Sequence, residues 1–221
     1  MSGPDTGVRP SPSQSTEPAT PAWLLWVIGH KKTSLALSLV LIAALLAVVD
    51  WPHRATQGEL RTDFALYATQ VRGDVQSCSV EVEQTLSAYN QIVAGVNTDR
   101  ATARAIATQT ALDCTPFGNS RIDDLGTIQT PSSLAAYSLA PATQQLYAWC
   151  FPGGVDVAQY IGHLLDKPGD PKLLAALKAR LASMNVLATR AQSVFDEAAA
   201  ALHMPPVNFG LDEVRPGVLV G

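Results

Sequence analysis

The chain has 221 residues, of which 15% are charged, with a formal net charge of -4. That length holds one domain, with or without a membrane segment. The acidic balance excludes the basic surface a nucleic-acid-binding protein needs. Three cysteines are too few for a cysteine-dense scaffold or a four-thiolate zinc site.

Residues 1–22 are rich in Ser, Pro, Thr and Gly. Such a segment buries too little to offset its ordering entropy, and it reads as a disordered cytoplasmic tail. Residues 23–51 read as an interfacial segment and a transmembrane helix. Trp23 to Ile28 is apolar, His30, Lys31 and Lys32 interrupt, and 33–49 is an uncharged run closed by Asp50 and Trp51. A hydrocarbon core needs about 20 apolar residues, and flanking lysines and tryptophans extend a short run. Lys31 and Lys32 directly before the run place the N-terminus inside. A cleaved signal is the weaker reading, because the preceding segment is long and no Ala-x-Ala site follows.

From 54 to 204 the pattern is that of a helical bundle. Phe64, Tyr67, Val71, Val75, Cys78, Val82, Thr85, Tyr89 and Ile92 are three or four apart, one face of a helix from about Gln57 to Val93. After a turn at Gly95, Thr98 or Asp99 caps a second helix ending near Asp113. Residues 115–130 read as a loop. Ser132 or Ser133 starts a third helical segment that Pro141 splits or opens, and Phe151-Pro152-Gly153-Gly154 stops it. A short helix runs from Asp156 to Leu165. Pro171 suits the first position of the last helix.

That last helix carries the clearest pattern. Leu174, Leu177, Leu181, Met184, Ala188, Ala191, Phe195, Ala198 and Leu202 alternate spacings of three and four until Pro205-Pro206. The seam is read as packed inside its own bundle. The sharper alternative turns Leu174, Leu177, Leu181, Met184, Phe195 and Leu202 toward another copy or another protein. Residues 205–221 form an apolar C-terminal tail broken by Gly and Pro.

The cysteines suggest a pairing. Cys78 lies 18 positions before residue 96 and Cys114 lies 18 after it. A hairpin of the first two helices would set them at one level, within reach of a disulfide. Cys114–Cys150 is the second choice. Cys150 would otherwise be a buried apolar side chain or would bond to a partner.

Chemistry is sparse. No phosphate loop, nucleophile elbow or zinc-binding His-Glu-x-x-His occurs. His30 and His53 flank the membrane run. His163 and Asp166 share a helix face and read as an ordinary surface pair more than as acid and base or metal ligands. Asp123 and Asp124 near Asp113 do not have calcium-loop spacing. Glu81 and Glu83 point apart on a helix. No catalytic, cofactor-binding or metal-binding residues are assigned, no cofactor is expected, and the chain does not read as an enzyme.

The fold class expected is all-α: one N-terminal transmembrane helix followed by an extracytoplasmic helical bundle. The alanine-rich, lysine-poor composition resembles that of proteins from high-GC bacteria. The function expected is a non-catalytic, membrane-anchored accessory or scaffold subunit of a bacterial cell-envelope complex. Its partners would be lipid through 33–49 and another membrane or envelope protein, or itself, with no nucleic acid. Its place would be the cell membrane, single-pass, with the C-terminal domain extracytoplasmic. The alternative is an extracytoplasmic ligand-binding or sensing domain, its interhelical pocket lined by Tyr89, Tyr137, Tyr147 and Trp149.

Overall fold

Thr56 starts the first helix through a capping box. Its hydroxyl accepts the Glu59 N–H at 3.2 Å, and the Glu59 carboxylate accepts the Thr56 N–H at 2.7 Å. The computed structural model describes residues 55–211 together with Val214 and Leu219. Six α-helices occur among them: α1 Gln57–Val93, α2 Arg100–Asp113, α3 Ser120–Thr127, α4 Leu139–Ala148, α5 Val155–Asp166 and α6 Pro171–Ala201. The 37-residue α1 buries Phe64, Tyr67, Val71, Val75, Cys78, Val82 and Tyr89, the face its spacing defines.

α2 returns antiparallel along α1, capped by Asp99, whose carboxylate accepts the Thr102 N–H. Ala103 and Ala107 are its buried apolar side chains, so α1 and α5 approach it closely. Thr110 Oγ1 accepts from Thr85 at 2.8 Å and donates to the Glu81 carbonyl at 3.1 Å. This pair satisfies two buried hydroxyls between the helices.

Residues 115–130 differ from the expected loop. Asn119 accepts the Arg121 N–H and caps α3. α3 then buries Ile122 and Leu125 against α1 and α4. A 3₁₀ turn, Ser132–Tyr137, leads to α4, with Pro141 in the first turn where a missing N–H costs nothing. A π-type turn, Trp149–Gly154, joins α4 to α5. Asp170 caps α6 by accepting the N–H groups of Lys172 and Leu173, with Pro171 at its start.

α6 packs on α4 and α5. Its seam faces inward: Leu177, Leu181, Met184, Phe195 and Leu202 are fully buried, and Leu174 is partly buried against them. Phe195 stacks on Tyr67, leans on Phe64, and meets Phe209 of the tail edge-on at 4.9 Å between ring centroids. The tail therefore closes one side of the core, assisted by Arg61, whose Nε donates to the Leu202 carbonyl at 2.8 Å.

The fold class is accordingly corrected to an all-α helical bundle. Among the described residues no helix is long and apolar enough to cross a membrane. The two longest helices explain why, since both interleave charged and amide side chains with their apolar face. The expected transmembrane run, 33–49, and the interfacial segment before it lie outside the described residues. Lipid contact through 33–49, the single-pass topology and the cell-membrane location are withdrawn with it.

Candidate functional site

The most constrained part of the bundle lies where α1, α2 and the Trp149–Gly154 turn meet. Cys78 and Cys114 are bonded there, with their Cα atoms 5.2 Å apart. Gly154 lies against the bond, and a Cβ placed on it would stand 2.8 Å from both sulfurs. Only glycine permits this approach. The Cys150 carbonyl lies 4.0 Å from Cys78 Sγ.

Cys150 is the free cysteine, and it is fully buried. Burial pushes its thiol far above the ordinary thiol range, and the nearby Asp74 carboxylate pushes it further. A thiol held protonated this way is a packing group and not a nucleophile. Asp74, one turn before Cys78 on α1, is only 5% exposed. Burial and the Asp124 carboxylate raise its pKa to about 6, against the opposing pull of Arg121. Arg121 stands 3.9 Å from one carboxylate oxygen, while the other oxygen is buried without a partner.

The remaining acid–base candidates are spread out. Asp166 pairs with Arg104 of α2, and His163 is exposed. Both line a shallow hollow of about 280 Å³ between α2 and α5. Asp113 accepts from Gln109, and Asp123 and Asp124 are exposed on α3. Burial, and then Asp113, raise the Glu81 pKa. No group of three or more His, Cys, Asp or Glu residues among the described ones could hold a metal ion.

The expected aromatic pocket is corrected as well. Tyr89 and Trp149 are core residues, and Tyr137 and Tyr147 are packed partly buried against that core. These rings are packed into the core and do not line a pocket as expected. A larger open groove, about 680 Å³, runs along the C-terminal half of α6 beside Pro206, Val207 and Leu211.

The outer surface carries what the sequence reading missed. Phe117 is 99% exposed, and Leu112 is 55% exposed on the same turn of chain. This turn is ordered. Thr115 Oγ1 donates to the Leu112 carbonyl at 2.7 Å and accepts the Gly118 N–H at 3.0 Å, while the disulfide at Cys114 fixes its start. The available signal was Pro116-Phe117-Gly118, at the start of the segment expected to be a loop. No family model, curated protein or solved structure matches the chain.

Proposed function

We propose that the helical domain is a binding module: a disulfide-fastened bundle that acts through its outer surface on another protein, without catalysis. The observation that carries this reading is Phe117. A large aromatic ring held in water on an ordered turn leaves roughly 2 kcal/mol of burial unclaimed, and an aromatic anchor beside Leu112 is the kind of residue that dominates protein interfaces. The scattered carboxylates and the inert Cys150 thiol favour binding over chemistry. The earlier picture of a membrane-anchored cell-envelope subunit is dropped, because no described helix could supply the anchor. The ligand-sensing alternative goes with its pocket.

The test is purification of the full chain from its native cells, comparing wild type with Phe117→Ser. Because Phe117 is fully exposed, the variant keeps its thermal midpoint. A stoichiometric protein partner that accompanies the wild type and is lost from the variant is the expected result. A partner retained at equal stoichiometry, or none with either form, contradicts the reading.

A further inference from the structure

α3 is held to the bundle by few contacts. It is eight residues long, and its buried side chains are Ile122 and Leu125. A helix that short does not hold itself in water, so its docking on α1 and α4 keeps it formed. Much of its hold on α1 is polar. Asn119 Nδ2 donates to Ser77 Oγ at 3.2 Å, and Ser77 Oγ donates to the Asp74 carbonyl at 2.7 Å. Arg121 lies over Gly73, where a Cβ would stand 3.5 Å from the guanidinium, and reaches one Asp74 carboxylate oxygen at 3.9 Å.

Asp74 is the weak point of this contact. Its carboxylate is buried between α1 and α3, and one oxygen has no hydrogen-bond partner. The groups facing it are Arg121 and Asp124 of α3 and the Cys150 thiol of the Trp149–Gly154 turn. Cys150 is protonated and brings no charge. Asp124 repels an ionised Asp74. Arg121 attracts it, but the Arg121 side chain is 60% exposed, so water screens its pull. A neutral carboxyl leaves the docked helix undisturbed. An ionised one needs water, because a buried charge without full pairing is costly. Lifting α3 supplies water while giving up little apolar burial. Parting α1 from α2 does not serve, since the disulfide holds them.

We infer that Asp74 is a proton-operated latch on α3: protonated, it keeps α3 docked on α1; ionised, it releases α3 in a local opening that leaves the α1–α2 hairpin and α6 in place. The turn that carries Phe117 runs from Cys114 to the cap of α3 at Asn119, so release frees one of its two ends. Resting on the surface reading of Phe117, the latch regulates that site and weakens binding as pH rises. The latch itself stands without that reading.

Linkage gives the size and sign. Asp74 titrates at about 6 with α3 docked and at about 4 once it is hydrated. The docked form keeps a proton that the open form sheds. The opening constant is therefore flat below about pH 4, rises through the interval, and levels off above about pH 6, a change of about a hundredfold.

The test is native-state hydrogen exchange of the full chain at about pH 4 and about pH 7, with each rate divided by that of the same amide in an unstructured peptide. The amides of Leu125 to Ile128 are expected to lose about a hundredfold in protection between the two, in exchange that low urea does not accelerate, as for a local opening. Amides of α6 stay better protected and respond steeply to urea. Other carboxylates titrate over the same range, so Asp74→Asn is the assigning control and abolishes the change in α3. Asp124→Asn, at an exposed position, removes the repulsion and shrinks the change. Phe117→Ser leaves the exchange pattern as it is, so the latch and the surface reading fail separately. α3 amides with the protection and urea response of α6 would mean that α3 leaves only with the whole fold, and the latch is overturned. A pH effect in α3 that persists undiminished in Asp74→Asn overturns it too.

Discussion

Asp74 is the residue whose environment most directly sets a measurable property. Its pKa, raised to about 6, means the folded chain keeps a proton that the unfolded chain has shed above about pH 4. Stability contributed by the protonated form is complete below pH 4 and is lost as pH rises through 6. The loss is on the order of 3 kcal/mol, the pull of Arg121 being already included in that pKa. Asp74→Asn removes the titration. Its thermal midpoint relative to wild type is expected to rise between pH 4 and 7 and to level off above. A difference independent of pH would show that the carboxylate is not buried as described. Gly154 makes the complementary steric case. Gly154→Ala forces a methyl group onto both disulfide sulfurs and is expected to cost about 1–3 kcal/mol in urea unfolding. Gly154 was not readable in the sequence, where it looks like part of a chain stop. Asp74 was not singled out, although it lies three after Val71 and four before Cys78, on the apolar face of α1.

At the scale of elements, the α1–α2 hairpin is the part that the disulfide fastens. The bond spans 36 positions, and closing a loop of that length removes up to about 4 kcal/mol of unfolded-state entropy in the chain model. Thiol titration has a definite expected pattern. None reacts in the native protein, one reacts after unfolding without reductant, and all three react after reduction. Two reactive thiols on unfolding alone would be incompatible with a single Cys78–Cys114 bond. The long helices were legible because Thr56, Asp99 and Asp170 announce their starts and an apolar face repeats through them. α3 was missed because eight residues are too short to show a repeat. Its only signals are Asn119 as cap and Ile122 and Leu125 three apart.

At the scale of the molecule, the interior and the exterior were unequally legible. Leucine and phenylalanine mark an inward face by their burial energy, so the seam of α6 could be read directly. Its exposed side is mostly small or charged, with Ala175, Ala179, Ala182, Thr189 and Ser193 among the exposed residues, and such side chains carry no burial signal of their own. Exposure of Phe117 was equally hidden, because an aromatic residue next to Pro116 and Gly118 is as compatible with burial as with display. The bundle nevertheless follows from the chain's own pattern: one buried core closed on one side by Phe209 and the tail, holding Asp74 and Cys150, with the exposed carboxylates and His163 dispersed over its surface. In the account that results, the interior supplies rigidity and the surface does the binding. The most direct test replaces Phe117 with a photoreactive phenylalanine analogue in the full chain expressed in its native cells, with Ala135, an exposed residue of the 3₁₀ turn, replaced in a parallel control. Irradiation is expected to join position 117 to one discrete protein, identifiable by mass spectrometry, and to leave the control unjoined. The same diffuse background at both positions would contradict the claim that this corner is where the protein works.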